Sequence, residues 1–373
     1  MNVLKTLRNK AYQTAVNYFS HATLVEGILK GANQPFQCLF VDNTSLMEYL
    51  LPKIYVEPPV VVKKWRIWIP GLKKIISKPP DSLDMCIAVL PVHYEPEFYN
   101  LYDFKTQEYV CQIINTCGSW DQIRKRFHDK KRQLSNNLIQ RNTFTHKISN
   151  DPKDFDFFYQ SMFLPHIQKK YQELSHLDEY EEMKEHFSNG FLLFVMDGDK
   201  AVAGALCIVR NSTLIFRRTG VLEGNEDYIK KGAQLALYHF NILYAHEHGL
   251  QRVDTMKSRP FFTDGVYRTK REWGATVYPD DGSLNWVYYF NPRFSEKMVS
   301  CLENIPTIGW TKEGLKGIVG LNADVESMDA VNKDLMRKFY APGLEGLLLL
   351  TPRSKKPIEL PFKTDEKQNS IFP

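Results

Sequence analysis

Residues 191–219 read FLLFVMDGDKAVAGALCIVRNSTLIFRRT. Two turn signals, Asp197-Gly198-Asp199 and Asn211-Ser212, divide this stretch into apolar runs of strand length: Phe191–Met196, Ala201–Val209 and Thr213–Thr219. Short Asp/Asn/Gly turns between β-prone runs specify antiparallel hairpins, so the spacing predicts a three-stranded meander. After the loop GVLEGNEDY, helical periodicity predicts a long helix from about Lys231 to His248, stopped by Gly249. A short strand follows at Arg252–Met256, then a loop with Arg259 and Pro260 and a short helix over Gly265–Glu272, ended by Gly274. Two more strands are expected near Ala275–Tyr278 and Leu284–Phe290, and two helical stretches precede the meander between Asp154 and His186.

Working toward the N-terminus, Glu108–Asn115 has strand alternation. Ser119-Trp-Asp-Gln122 is a capping-box pattern, opening a helix with Ile123, Phe127, Leu134 and Leu138 on one stripe and Arg124, Lys125, Arg126, Lys130, Lys131 and Arg132 elsewhere. Thr143–Ser149 closes this unit as a strand, and Asn150-Asp151-Pro152 is a turn. Residues 36–100 carry so many prolines that short strands and turns are expected there, with no long helix, and MCIAVLP (Met85–Pro91) as a buried strand. The first thirty residues have helical spacing of Val3, Leu4, Leu7, Ala11, Ala15 and Phe19.

The chain has 373 residues, 43% hydrophobic and 24% charged, a globular composition that excludes wholesale disorder. A net charge of +5 suits anionic substrates and is too weak by itself to imply nucleic acid. No apolar run reaches the roughly 18 residues of a membrane-spanning helix, and the N-terminus lacks the apolar core of a secretory signal. The six cysteines are scattered without metal spacing, so no metal site is expected, and the pattern fits a reducing compartment. The expectation is a cytoplasmic protein with no tightly bound cofactor.

The order of elements from 155 to 290 resembles that of GNAT acyltransferases. The stretches GDKAVAGALCIV, KKGAQLALYHFNILYAHEHGLQRVDTMKS and DGVYRTKREWGA resemble the Fem-type branch of that superfamily. The earlier stretch YVCQIINTCGSWDQIRKRFHDKKRQLSNNLIQR is similar to part of a Fem-type first domain. The resemblance covers roughly residues 85–290. It implies an α/β protein with mixed sheets, built as tandem GNAT-like domains of which the second is more complete. The expected division is 1–150 for the first domain and 151–295 for the second, with a helical C-terminal extension over 296–350 and a flexible tail over 351–373.

The same resemblance implies transfer of an acyl group to an amine. In that fold, the third meander strand and the next parallel strand splay apart beside a helix N-terminus that favours phosphate. The corresponding turn here, Ile229-Lys230-Lys231-Gly232-Ala233-Gln234, keeps the glycine and departs from the CoA-type pattern at its ends. Lys230, Lys231 and Gly232 are therefore expected at the donor, which is acyl-CoA, a carrier-protein thioester or an aminoacyl-tRNA. Lys270 in YRTKREWG takes the place of a Fem-type lysine that stabilises charge on the carbonyl oxygen; the alternative is a solvated helix face. Tyr267 is either the acid that protonates the leaving thiolate or a core residue, and Asp264 either a base or a helix cap.

Asp254, Arg259 and one of Arg217 and Arg218, whose alternation in a strand sends only one inward, are expected toward a small-molecule or peptide acceptor. His239, within an apolar helix, reads as a core histidine, and His166 as structural or in contact with the acceptor. The basic helix 123–138 either grips a polyanion such as tRNA or is a solvated face. The segment KKWRIWIPGLKKII (63–76) interleaves tryptophan and isoleucine with lysine, which suits an anionic bilayer surface, a long-chain acyl substrate, or a first-domain core that buries Trp65 and Trp68 with lysines at its rim. A binding protein without catalysis is the remaining alternative, because a fold does not fix a function.

Overall fold

The computed structural model describes residues 19–41, 44–141, 144–171, 180–291, 295–311, 314–322, 328–352 and 357–362. The described chain forms two compact units that are interleaved in sequence: segments within 19–110, 259–267 and 279–362 make the first, and segments within 111–258 and 268–278 the second. This partition differs from the consecutive division at residue 150.

The first unit is built on strands β1 (Phe19–Ile28), β2 (Pro35–Val41), β3 (Val60–Trp68), β4 (Met85–Pro91) and β5 (Phe104–Thr106). To these it adds β13 (Asn285–Phe290), β14 (Thr307–Thr311), β15 (Gly314–Gly320), β16 (Gly346–Leu350) and β17 (Ile358–Pro361). They form one 10-stranded mixed sheet in the order β17-β16-β15-β14-β5-β13-β4-β2-β1-β3. MCIAVLP is a central strand with both faces covered. Met85, Ile87 and Val89 enter one core with Phe36 and Tyr289, while Cys86, Ala88 and Leu90 enter the other with Leu72 and Phe290.

Several expectations change in this unit. The predicted N-terminal helix falls on residues 1–18, which lie outside the described residues, but its continuation FSHATLVEGI is the strand β1. Pairing with β2 on one side and β3 on the other settles a pattern compatible with either period. The proline-rich region holds two helices, Thr44–Ile54 and Ile69–Ser77. Pro52 sits near the end of the first, and Pro70 in the first turn of the second, where its missing N–H costs nothing.

The helical C-terminal extension is also corrected. Residues 296–350 hold the helices Glu296–Asn304 and Met328–Phe339, but β14, β15 and β16 extend the sheet, with β15 and β16 parallel. Gly314, Gly317 and Gly320 weaken any helix there, and ladder pairing overrides the helix preference of the leucines. Part of the expected tail is strand β17, paired with β16, and Phe362 packs edge-on against Tyr340.

The second unit contains β6 (Val110–Asn115), β7 (Thr145–Ser149), β8 (Gly190–Asp197), β9 (Lys200–Arg210), β10 (Thr213–Val221), β11 (Arg252–Ser258) and β12 (Thr276–Tyr278). Their order is β12-β6-β11-β10-β9-β8-β7. The meander β8-β9-β10 is antiparallel, closed at Asn211-Ser212 with positive φ at both turn residues, and β11 joins β10 in parallel. The last predicted strand, β13, belongs to the first unit's sheet, where it pairs with β4 and β5.

The helix Ala233–Glu247 lays Ala236, Leu237 and Phe240 into a core with Leu193, Val195, Leu214 and Val253. A second core contains Leu192, Phe194 and Leu206 together with Phe155, Phe158, Met162 and Phe163. Those four aromatic and Met residues come from the helix Pro152–Phe157 and the π-helical turn Phe158–Phe163 that continues it. This turn lies against β10 at Gly220, where a Cβ would stand 2.5 Å from the Met162 carbonyl carbon. The capping box is present as read: Ser119 accepts from the Gln122 amide, and the Gln122 side chain accepts from the Ser119 amide. The helix it opens ends at Lys125, and a separate one runs Asp129–Arg141.

Candidate functional site

In the second unit, β10 and β11 pair over only three positions, Thr213↔Arg252, Leu214↔Val253 and Ile215↔Asp254. Beyond them both strands continue, β10 to Val221 and β11 to Ser258, without a shared ladder. Each strand is distorted where the pairing stops. In β10 the register to β9 shifts between Phe216 and Arg218, leaving Arg217 as an extra residue. In β11, Met256 adopts φ +65°, a left-handed conformation unusual for a residue with a side chain. Asp254 helps to fix it: its Oδ1 accepts from the Met256 amide at 2.8 Å.

Lys270 lies under this kink. It projects from the helix Gly265–Glu272 and is only 3% exposed, so the solvated-face alternative falls. Its Nζ donates to the carbonyls of Met256 at 3.0 Å and Lys257 at 2.9 Å. The distorted half of β11 is also tied to β6. Thr255 Oγ1 donates to the Gln112 carbonyl, and Ser258 Oγ donates to Gln112 Oε1, with Gln112 fully buried. Gln112 is a member of this arrangement that sequence reading passed over; its signal was a polar residue at a buried position of an alternating strand.

The bulge overturns the premise that only one of Arg217 and Arg218 faces inward, since alternation fails there and both are half-buried. Arg217 pairs with Glu182 of the helix Tyr180–Ser188 at 3.3 Å, and Arg218 donates to the Arg217 carbonyl at 3.0 Å. Lys230 and Lys231 end a six-residue helix, Glu226–Lys231, and Gly232 joins it to the long helix at φ +97°. The Gly232 amide donates to Ile229 and its carbonyl accepts from Ala236, so its backbone is committed to the helix junction. Lys230 is exposed, whereas Lys231 pairs with Asp197 at 2.6 Å.

Asp264, Tyr267 and Arg259 belong to the first unit. Asp264 caps the helix Gly265–Glu272, accepting from the Tyr267 amide at 2.8 Å, and its other oxygen accepts from the Tyr49 hydroxyl at 2.9 Å. That carboxylate, after burial itself, drives the Tyr49 hydroxyl well above its ordinary pKa. Burial lowers the pKa of Lys53, whose ammonium stands 4.6 Å from the Tyr49 ring centre. Arg259 donates to Ser45 at 2.9 Å, pairs with Glu108 at 3.6 Å and stacks 4.4 Å from the Tyr109 ring centre. Tyr267 is fully buried, edge-on to Phe262. The structure thus brings Arg259 and Asp264 together around Tyr49, a residue the sequence did not single out because its contacts lie more than 200 positions away.

His239 is fully buried, with Nδ1 2.9 Å from Ser135 Oγ, and its pKa is lowered to about 4 by desolvation, with Arg124 and His146 adding repulsion. His166, 3% exposed, places Nε2 3.3 Å from Gln234 Nε2. The cations expected on one basic helix are largely engaged. Arg124 pairs with Asp121, Lys131 with Glu272 and Arg132 with Asp129, while Arg126 donates to the carbonyls of Asn115 and Cys117. Among the described residues, no group of His, Cys, Asp and Glu is arranged to hold a metal, and no helix is long and apolar enough to cross a membrane.

No protein-family model matches the chain, and no curated protein does. Solved structures to which the chain shows some likeness include FemX, at 11% identity and TM-score 0.38, covering 75% of this chain and 90% of that one. L-PGS from Bacillus licheniformis is similar at 8% identity and TM-score 0.36, covering 76% of this chain and 85% of its own. A GCN5-related N-acetyltransferase from Sphaerobacter thermophilus is similar at 10% identity and TM-score 0.32, covering 69% and 73%. Likenesses this loose define no family.

Proposed function

We propose that the second unit is an acyltransferase that forms an amide from a thioester donor, acyl-CoA or an acylated carrier protein, and an amine acceptor. The observation that carries this reading is the divergence of β10 and β11 beyond Ile215 and Asp254, held open by the bulge at Arg217 and the Lys270-supported kink at Met256. Two parallel strands that part in this way leave backbone groups able to hydrogen-bond an extended amide-bearing donor. In the reaction, the amine nitrogen attacks the acyl carbon, the C–N bond forms, the C–S bond breaks, and the thiolate takes up a proton as the amine gives one up. Lys270 serves as a positioning residue that keeps the kinked strand in place, with its positive charge close to the cleft. Arg217 and Arg218 offer guanidinium groups to a carboxylate or phosphate on the acceptor. Asp264 and Tyr267 serve the helix start and the core, and the reading does not depend on them.

A second reading takes the donor to be an aminoacyl-tRNA. It is favoured by the turn before the long helix, where Gly232 is spent on the helix junction and Lys231 on Asp197, leaving a poor cradle for a CoA pyrophosphate. A thermal-shift and native mass-spectrometry screen of the full chain against CoA, acyl-CoAs of several lengths and charged tRNA tests both. Stabilisation by an acyl-CoA supports the first reading, and a shift with charged tRNA alone supports the second. Silence with every donor, acylated carrier proteins included, refutes acyl transfer and leaves a binding protein.

A further inference from the structure

Strand β3 lies at one end of the first unit's sheet, paired with β1 on one side only. Phe19 of β1 faces Trp68 of β3 across the ladder, and these rings are 45% and 53% exposed. Arg66 sits 5.6 Å over the Phe19 ring, and Lys64, His21 and Arg66 are all exposed beside the pair. Farther along β3, Val60, Val61 and Val62 are exposed as well. The opposite face behaves differently: Trp65 and Ile67 pack with Ala22, Leu39 and Leu72 in a core. The interleaved segment therefore splits, with Trp65 serving the core and Trp68 left outside.

The segment that supplies this face is positively charged. From Pro58 to Pro80 the chain contains Lys63, Lys64, Arg66, Lys73, Lys74 and Lys78 and no carboxylate. All six are exposed, and Lys64 and Arg66 stand on the same face as Phe19 and Trp68, in no ion pair among the described contacts. Lys63 lies over the Trp65 ring, and Lys73 and Lys74 belong to the helix Ile69–Ser77, whose Leu72 and Ile76 pack with Trp65 on the other face. The nearest acid on β1, Glu26, accepts from Gln37. An outer strand needs a few lysines to discourage edge-to-edge pairing, but that role does not call for an exposed Trp–Phe pair and three exposed valines. A polyanion would use the cations and leave the apolar groups wet. An anionic bilayer uses both, with aromatic and branched side chains at the level of the headgroups and lysines against the negative surface.

We propose that the outer face of β1 and β3, centred on Phe19, Trp68, Lys64 and Arg66, docks the protein on an anionic lipid surface. The test is co-sedimentation of the full chain with vesicles of phosphatidylcholine alone and with phosphatidylglycerol added. Binding is expected only to the anionic vesicles, weakened by high salt. Lys64→Glu/Arg66→Glu and Phe19→Ser/Trp68→Ser should each weaken it by at least about tenfold. All four positions are exposed, so circular dichroism should show both variants folded; a misfolded variant is replaced by the single Trp68→Ser. Failure to bind, equal binding to both vesicle types, or binding indifferent to Trp68 overturns the proposal. So does sedimentation of a dimer that the charge reversal dissolves in a protein that ignores vesicles, or capture of RNA without vesicle binding. None of these outcomes bears on acyl transfer, which the donor screen tests separately.

Discussion

Replacing Lys270 with methionine keeps the length and apolar body of the side chain and removes its ammonium. In the folded protein that ammonium donates to two carbonyls, at 3.0 and 2.9 Å, at the one kinked point of β11. A hydrogen bond to a charged group contributes about 1.5–3 kcal/mol. Met256 is half-buried and Lys257 exposed, so water replaces part of what each carbonyl loses, and the lower end applies. Two such bonds amount to about 3 kcal/mol. Methionine also relieves the cost of holding a charge out of water, so the expected net destabilisation is about 2 kcal/mol. Urea denaturation should show a lower midpoint at unchanged slope. Hydrogen exchange should locate the loss, with amides of Met256–Ser258 accelerated beyond those of β8 and β9. An unchanged midpoint together with unchanged exchange at these amides would refute the view that Lys270 supports the kink.

Three further outcomes follow from particular contacts. Gly220→Ala drives a methyl into the backbone of the π-helical turn, 2.5–2.7 Å from Met162 and Phe163, and should cost about 3 kcal/mol or more in thermal unfolding. His239, neutral in the fold down to a pKa of about 4 against an ordinary 6.5, supports stability that is fully present above pH 6.5 and lost as pH falls toward 4. The unfolded chain takes the proton first, so the loss approaches about 3 kcal/mol. Unfolding at pH 7.5 and 4.5 should show this slope in the parent and less of it in His239→Gln; equal slopes would dismiss the assignment. Tyr49→Phe deletes the hydroxyl that Asp264 accepts and should destabilise the first unit by about 1–2 kcal/mol, read as a shifted denaturation midpoint.

The elements carried by local chemistry were legible from residues alone. Turn residues at 197–199 and 211–212 delimited the meander, Ser119 and Gln122 placed a capping box, Gly249 ended the long helix, and Gly265–Glu272 was bounded to the residue. In each case the determining interactions span a few positions, so period and cap are written in the sequence itself. His239 was recognisable as a core residue because its neighbours on the helix are apolar. Segments whose conformation depends on distant partners were not readable in this way. β1 became a strand because β2 and β3 flank it, the leucine-rich C-terminal part joined a sheet, and β13 pairs with β4, nearly 200 positions earlier.

The candidate site divides along the same line. Its lysine and arginines could be named from the sequence, because residue type and a local motif suffice to nominate a cation. That Lys270 is buried against two carbonyls and that Arg217 is an extra residue in its strand were decided by the tertiary structure, as was, separately in the first unit, the meeting of Asp264 with Tyr49. A hydrogen bond between groups far apart in the chain exists only once the sheet has set their distance, and no local preference encodes that distance.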